Sequence, residues 1–246
     1  MNVFVTGGSR GIGREIVLKF VNEGHHCAFT YVANKAAADK VLAEAKESRP
    51  QAVVKAYALD LKDSPAIEAV VERAIGDFEN IDAVVNNAAV VRNNAAALMS
   101  DDEWNEVIQT DLSGPFFVIR SFLMHMLSNR SGRIINISSL AQDGTSGQAN
   151  YAAAKAGLIG LTKTLAREYG AKGITTNVVT VGYVETEMTR DHLADKLHDI
   201  WMQYCPMKRI GTAAEIASLV HYLTTPEAGF INGEVIRVSG GLTYVP

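Results

Sequence analysis

The chain has 246 residues, a mass of 26.5 kDa and a formal net charge of −4, and hydrophobic residues make up 48% of it. A chain of this mass buries about 70% of its unfolded surface on folding, which supports a full core without metal or disulfide cross-links. A charge this close to neutral gives no long-range field for nucleic acid and no polybasic patch for a membrane surface. These values favour one large globular domain that binds neither.

The targeting and redox signals agree with that expectation. No uncharged stretch approaches the roughly 20 apolar residues that span a bilayer. The chain opens on the strand-like run Asn2 to Thr6 rather than on a basic, leader-like segment. Two cysteines cannot form a disulfide framework and fit a reducing compartment. We therefore expect a cytoplasmic protein, and no metal site.

Short β-rich runs alternate with longer amphipathic runs along the chain. This alternation predicts parallel strands joined by right-handed helical crossovers. Runs that are apolar throughout, such as Ala83 to Val85, fit strands covered on both faces. The expected fold class is α/β, a single-domain Rossmann-type doubly wound parallel sheet with helices on both faces. The predicted elements are the strands 3–6, 26–32, 53–59, 81–86, 133–138, 175–180 and 234–238 and the helices 11–22, 35–47, 63–78, 150–169 and 213–223.

No linker, charge block or low-complexity tract divides the chain, so residues 1–246 are expected to form one dinucleotide-binding and catalytic domain. The stretch from about 182 to 209 interrupts the alternation between a strand and the next helix. A connection of this length beside a site is often a lid, and its apolar residues predict short helices.

A glycine-rich turn follows the first predicted strand and opens the first helix. Glycines there let the backbone approach a pyrophosphate, whose charge meets the helix N-terminus. The spacing is Gly-x-x-x-Gly-x-Gly, and a tight turn without a ligand is the simpler interpretation of the glycines alone. Their position at the first strand–helix junction favours a dinucleotide site. The predicted contacts are Gly7, Ser9, Arg10, Gly11, Ile12 and Gly13.

The end of the second strand indicates which dinucleotide is bound. An acidic residue there would hold the ribose 2′-hydroxyl of NAD, but no acid occurs before Asp39. Arg10, with Asn34 or Lys35, can instead pair with a 2′-phosphate, unless Arg10 is simply a solvated surface charge. We expect NADPH as cofactor, with NADH less favoured.

Residues at the ends of other strands complete the predicted cofactor site. Asp60 can accept a hydrogen bond from the adenine amino group or, alternatively, cap the following helix. Asn87 and Ala88 follow the fourth strand, at the edge where ligands bind in such sheets, although a well-satisfied turn would look the same. Tyr31 and Leu61 are assigned to the same site.

Tyr151 and Lys155 lie four residues apart at the start of a predicted helix, so their side chains share one face. Free tyrosine has a pKa of about 10, and a neighbouring ammonium lowers it, as proton transfer requires. Ser138 and Ser139 end the preceding strand and can place a hydroxyl against a carbonyl. A Tyr-x-x-x-Lys pair alone occurs by chance in many helices. Together with the serines and the glycine turn, it predicts a proton-transfer site.

These motifs resemble the short-chain dehydrogenase/reductase family over the whole chain. Within the family, the chain is most similar to the beta-ketoacyl-[acyl carrier protein] reductases. The family motifs are Thr6-Gly7, Gly11-Ile12-Gly13, Asn86-Asn87-Ala88, Asn136-Ile137-Ser138-Ser139, Tyr151 to Lys155 and Gly240-Gly241, and the closer similarity lies in Gln148 to Leu158, Gly173 to Val179 and Arg209 to Thr212.

The resemblance implies a mechanism. Hydride passes from NADPH to a ketone carbon while Tyr151 gives a proton to the oxygen. Ser139, rather than the serine before it, orients that oxygen, and Lys155 holds the nicotinamide ribose and lowers the tyrosine pKa. Val184 would line the cofactor with the residues named above, and Thr186 would meet its carboxamide or phosphates.

Two departures from the family pattern bear on that mechanism. Asp111 stands where the family usually has an asparagine that supports a water-mediated proton path to the lysine. If the backbone carbonyl does most of this work, Asp111 is tolerable; if the amide matters, the carboxylate can pair with Lys155 and slow turnover. Val181 replaces a usual proline before the glycine that starts the long connection.

A carrier-protein substrate needs basic residues beside the cleft, because carrier proteins are acidic. Arg130 and Lys172 fall where the resembled reductases carry such a patch, and both are equally typical of ordinary surface charges. The resemblance also implies a homotetramer.

The expected function is NADPH-dependent reduction of a 3-oxoacyl thioester, bound to an acyl carrier protein, in fatty-acid or polyketide-type biosynthesis. One alternative is a reductase or dehydrogenase of free ketones, sugars or alcohols. Another is a weakly active cofactor-binding subunit of an assembly, which Asp111 and Val181 favour and the intact Ser139, Tyr151 and Lys155 oppose.

Overall fold

The computed structural model describes residues 1–184 and 195–243, and its centre is a parallel sheet. In this part of the chain seven strands pair in the order β3-β2-β1-β4-β5-β6-β7, each parallel to its neighbours. The strands are β1 (Asn2–Val5), β2 (His26–Tyr31), β3 (Val54–Ala58), β4 (Ala83–Asn86), β5 (Gly132–Ser139), β6 (Ile174–Val181) and β7 (Val235–Val238).

Helices cover both faces of the sheet. Helices α1, α2 and α8 pack over one face with a core that includes Ile16, Val41 and Ile216. Helices α3, α5 and α6 pack over the other, around Val71 and Phe122. This arrangement confirms the predicted doubly wound fold. The helices are α1 (Gly11–Asn22), α2 (Lys35–Ser48), α3 (Ser64–Phe78), α4 (Asp101–Ile108), α5 (Gly114–Asn129), α6 (Ala149–Tyr169), α7 (Asp195–Tyr204) and α8 (Ala213–Tyr222).

Polar caps fix where several helices begin. Asn34 Oδ1 accepts the Ala37 N–H at 2.9 Å, and Ser100 starts α4 with a reciprocal capping box to Glu103. Each such cap stabilises a helix by about 1 kcal/mol. Helix α1 differs, because its N-cap residue, Arg10, makes no side-chain capping hydrogen bond. Among residues 1–184 and 195–243, no side chain accepts the first N–H groups of α1.

The strand order places a crevice between β1 and β4. The chain runs outward from β1 to β2 and β3, then returns to add β4 on the other side of β1. In open parallel sheets, ligands bind at the carboxyl edge where the order reverses in this way. The expected site residues follow strands that end at this edge.

The two ends of the long connection predicted over 182–209 lie side by side. Val184 pairs with Gly211 in an isolated bridge, and the Gly211 N–H donates to the Tyr183 carbonyl at 3.0 Å. Helix α7 lies within the connection, whereas Thr186 falls outside the described residues, so its cofactor contact and the lid function stay predictions. Among the described helices, none is long and apolar enough to cross a membrane.

Candidate active site

A cleft of about 590 Å³ opens at the carboxyl edge of the sheet. Its walls come from the turn after β1, the ends of β2 to β6 and the first turns of α6. This volume lies within the usual range for small-molecule and cofactor sites, about 300–1,000 Å³. The sequence-predicted residues that line it are Gly7, Ser9, Arg10, Gly11, Ile12, Gly13, Tyr31, Asp60, Leu61, Asn87, Ala88, Ser139, Tyr151, Lys155 and Val184.

The glycine turn is packed too closely to admit side chains. Gly7 has a φ of +68° and Gly11 a φ of +53°, in the left-handed region that favours glycine. A Cβ on Gly13 would lie 2.2 Å from the Gly7 carbonyl oxygen. With the uncapped start of α1 beside it, the turn presents exposed backbone and a helix N-terminus to the cleft. Both features fit the pyrophosphate of a dinucleotide.

Thr6 and Asn87 tie the glycine turn to the segment after β4. Thr6 is fully buried, and its Oγ1 accepts the N–H groups of Asn87 at 3.0 Å and Ala88 at 3.1 Å. The Asn87 Nδ2 donates to the carbonyls of Thr6 at 3.0 Å and Gly7 at 3.1 Å. Asn87 lines the cleft as predicted, but its amide donor is used to hold the turn. Sequence reasoning missed this role, whose signal is a threonine directly before the first glycine.

On the adenosine side, Arg10 differs from the two residues predicted to act with it. Lys35 pairs with Asp39 at 2.8 Å, and Asn34 caps α2, so neither side chain is fully available to a phosphate. Arg10 is exposed at the cleft, and among the described residues its guanidinium makes no hydrogen bond or ion pair. It is therefore the most available cation for a 2′-phosphate.

The structure also separates the two roles considered for Asp60. Its Oδ1 accepts the Lys62 N–H at 3.0 Å, and its Oδ2 lies 3.5 Å from the Lys62 ammonium. Asp63, not Asp60, caps α3 through the Ala66 N–H at 3.0 Å. Asp60 is thus free of the capping role, and its contact with adenine stays a prediction.

The two serines at the end of β5 have different partners. Ser138 is 2% exposed, and its hydroxyl hydrogen-bonds Gln142 Oε1 at 2.7 Å and lies 3.3 Å from the Lys155 carbonyl. Ser139 Oγ accepts the Ala141 N–H at 3.2 Å, and its hydroxyl acts to lower the pKa of Tyr151. Ser138 is committed to the interior, so Ser139 is the serine able to act with Tyr151.

Lys155 is buried and lies near both the tyrosine and a carboxylate. Its Nζ donates to the Ile137 carbonyl at 3.2 Å and lies 5.4 Å from the centre of the Tyr151 ring. Asp111 Oδ2 lies 3.5 Å from the same Nζ. Asp111 does not line the cleft, in contrast to the other predicted catalytic residues.

Burial controls the acidity of this group. It raises the pKa of Tyr151 above the ordinary value, while the Lys155 ammonium and the Ser139 hydroxyl act to lower it and the Asp111 carboxylate to raise it. The expected influence of Lys155 is present, but burial outweighs it. Burial likewise raises the pKa of Asp111, against the opposing effect of Lys155.

Asn150 fixes the start of α6 and was not identified from the sequence. It is fully buried, and its Nδ2 donates to the carbonyls of Arg92 at 3.1 Å and Glu103 at 3.0 Å. Its Oδ1 accepts the Tyr151 N–H at 2.7 Å. These bonds set the position of the tyrosine backbone relative to α4.

The two residues predicted to meet a carrier protein lie at the opposite edge of the sheet. Arg130 lies two residues before β5 and Lys172 two residues before β6, whereas Ser139 ends β5. At about 3.3 Å per residue, the length of β5 separates the two edges by roughly 25 Å. Within one chain these cations are therefore far from the cleft, and docking of a carrier protein at them stays a prediction.

Comparison with known proteins establishes the class. A family model described as enoyl-(acyl carrier protein) reductase matches residues 7–243. Levodione reductase superposes with a TM-score of 0.93 at 30% identity, covering 98% of this chain and 96% of that one. A short-chain dehydrogenase/reductase from Serratia marcescens gives a TM-score of 0.92 at 35% identity, covering 98% and 97%. The chain belongs to the short-chain dehydrogenase/reductase family of oxidoreductases.

Curated relatives refine that placement. The 3-oxoacyl-[acyl-carrier-protein] reductase FabG of Staphylococcus aureus is 39% identical over 242 residues, covering 98% of this chain and 97% of its own. The protein of that name from Salmonella typhimurium is 42% identical over 242 residues, covering 98% and 96%. The predicted resemblance to this group of reductases is confirmed.

Proposed function

We propose that the protein reduces a 3-oxoacyl thioester, carried on an acyl carrier protein, to the 3-hydroxyacyl thioester in fatty-acid or polyketide-type biosynthesis, with NADPH as reductant. One observation carries the proposal: Ser139, Tyr151 and Lys155 share a single cleft with the glycine turn. The full-length similarity to the FabG reductases supports the choice of substrate.

The residues of the cleft suit ketone reduction. The bound nicotinamide would supply a hydride to the ketone carbon, and the ketone oxygen then needs a proton. Tyr151 is suited to donate it, because its hydroxyl is protonated at neutral pH and the Lys155 ammonium favours the phenolate that donation leaves. Ser139 would orient the ketone oxygen by a hydrogen bond, and the Lys155 ammonium would stabilise the phenolate left on Tyr151.

The choice of NADPH depends on Arg10. Replacing it by alanine removes an available cation for the 2′-phosphate, so Kd for NADPH should rise on the order of tenfold while Kd for NADH changes little. Lys35→Ala, which removes a lysine already paired with Asp39, is the matched control. Equal weakening of both cofactors by Arg10→Ala, measured by fluorescence titration, would show that the cation does not read the 2′-phosphate.

The substrate is tested by following NADPH absorbance with a 3-oxoacyl carrier-protein thioester, with a free ketone and with NADH in parallel. We expect rapid oxidation with the thioester and a loss of at least about 100-fold in Tyr151→Phe, which lacks the proton donor. Turnover with the free ketone alone would move the assignment to a small-molecule dehydrogenase. Tight NADPH binding without turnover would favour a cofactor-binding subunit.

Docking of the carrier at Arg130 and Lys172 belongs to the same proposal, together with a homotetramer. Because these residues lie at the far edge of the sheet, a carrier bound there would deliver its acyl chain to the cleft of another subunit. Arg130→Glu should then raise KM for the carrier-bound substrate and leave KM for a carrier-free thioester unchanged. An equal effect on both substrates would argue against docking at this site.

A further inference from the structure

Asp111 lies beside Lys155 and has an ionisable side chain for which the proposed reaction has no use. It lies in the π-helical turn Gln109–Ser113 between α4 and α5 and is fully buried. Its Oδ1 accepts the Val90 N–H at 2.8 Å. Its Oδ2 has no hydrogen-bond partner among the described residues and lies 3.5 Å from Lys155 Nζ. A buried carboxylate oxygen held by nothing else depends on that ammonium for its stabilisation.

Lys155 is therefore shared between two groups. Its ammonium lies 3.5 Å from Asp111 Oδ2 and 5.4 Å from the centre of the Tyr151 ring, and Lys155 is 3% exposed, so water screens neither interaction well. We propose that Asp111 is a positioning residue that competes with Tyr151 for the positive charge of Lys155 and so sets how readily the Tyr151 hydroxyl gives up its proton. This inference rests on the proposed role of Tyr151 as the proton donor.

The groups around Tyr151 affect its ionisation in the direction that the proposal requires. Lys155, from α6, favours the phenolate, and Asp111, from the turn before α5, opposes it, so the carboxylate raises the pKa of the tyrosine. The hydroxyl of Ser139, from β5, favours the phenolate. Glu106 of α4 also lines the cleft, but its carboxylate is paired with Arg92 at 2.7 Å. Removing the charge of Asp111 should thus make Tyr151 more acidic.

The size of the effect follows from the distances. With Lys155 Nζ 3.5 Å from Asp111 Oδ2 and 5.4 Å from the Tyr151 ring centre, the carboxylate lies within about 9 Å of the ring. A unit charge at about this distance, at an effective dielectric constant of about 20, changes a pKa by on the order of one unit.

The test is Asp111→Asn, which removes the charge and keeps an oxygen for the Val90 N–H. Lys155 keeps the Ile137 carbonyl and so stays in place. Tyr151 is one of eight tyrosines, so its ionisation is obtained as a difference. The tyrosinate absorbance is titrated with and without Tyr151→Phe, in the parent and in Asp111→Asn, and the absorbance that is lost belongs to Tyr151. The pH dependence of the reduction rate, with any ketone that is turned over, gives a second readout.

We expect Tyr151 to ionise about one pH unit lower in Asp111→Asn, and the alkaline loss of reduction rate to move down by a similar amount. Asp102→Asn makes the same chemical change on an exposed part of α4 and should match the parent in both measurements. If the asparagine variant does not fold, Asp111→Ser removes the charge with a smaller side chain that can still accept a hydrogen bond.

The result that overturns the proposal is an unchanged ionisation of Tyr151 together with an unchanged alkaline limb. The titration needs no substrate. If the protein does not reduce 3-oxoacyl thioesters, the proposed function is refuted. A lower ionisation pH of Tyr151 in Asp111→Asn would still uphold this inference. Conversely, reduction of 3-oxoacyl thioesters without a shift in the ionisation of Tyr151 would support the proposed function and refute this inference.

Discussion

Gly13→Ala tests whether the glycine turn is held as closely as the structure shows. The added Cβ would lie 2.2 Å from the Gly7 carbonyl oxygen and 2.4 Å from Asn87 Nδ2, so the turn or α1 must move by about 1 Å. Overpacking of this kind costs about 1–3 kcal/mol, and disturbing the bond from Asn87 to Gly7 adds about 1 kcal/mol. At about 2–4 °C per kcal/mol for a chain of this size, the melting temperature should fall by roughly 5–15 °C.

The same movement should withdraw the backbone from the pyrophosphate and raise Kd for NADPH at least about tenfold. Calorimetry and fluorescence titration measure the two effects. Gly76→Ala is the control, because Gly76 is exposed in α3 with nothing within 4 Å of its Cβ, and the change should stabilise the protein by about 0.5–1 kcal/mol. If Gly13→Ala melts with the parent and binds NADPH equally well, the close packing of the turn is refuted.

Two further changes probe features away from the reacting atoms. Thr6→Val leaves the N–H groups of Asn87 and Ala88 without their buried acceptor and should cost about 2–4 kcal/mol in urea unfolding; a loss below about 0.5 kcal/mol would contradict the tie that we describe. His25 and His221 have Nε2 atoms 3.3 Å apart, and burial lowers both pKa values, so the folded state favours their neutral forms. The stability they confer is present above pH about 6.5 and is lost as the pH falls through the lowered pKa values; melting temperatures should show this loss, and His221→Gln should reduce it.

Much of the fold and part of the site follow from local sequence. The strands are predicted from short apolar runs and the helices from the period of 3.6 residues, and both patterns depend on near neighbours alone. The predicted bounds of α1 agree with the structure, and those of most other elements differ by one or two residues. The spacing of Tyr151 and Lys155 on one helix face is local in the same sense.

Two features of the structure that were not predicted depend only on local sequence. Lys35 pairs with Asp39 four residues on, a spacing that predicts an ion pair on a helix. Arg130 and Lys172 each lie two residues before a strand, and a residue just before a parallel strand lies at the edge opposite the ligands. Both features were present in the sequence once the strands and helices had been assigned.

The sequence by itself determined the order of the elements, the glycine turn and the spacing of Tyr151 and Lys155 on one helix face, because each depends on residues close in the chain. Only the tertiary structure decided what surrounds Lys155. Asp111 lies in the turn between α4 and α5. It is brought near the Lys155 ammonium because α6 packs against that turn. The acidity of Tyr151 depends on that burial and on charges brought together from distant segments, which no local pattern encodes.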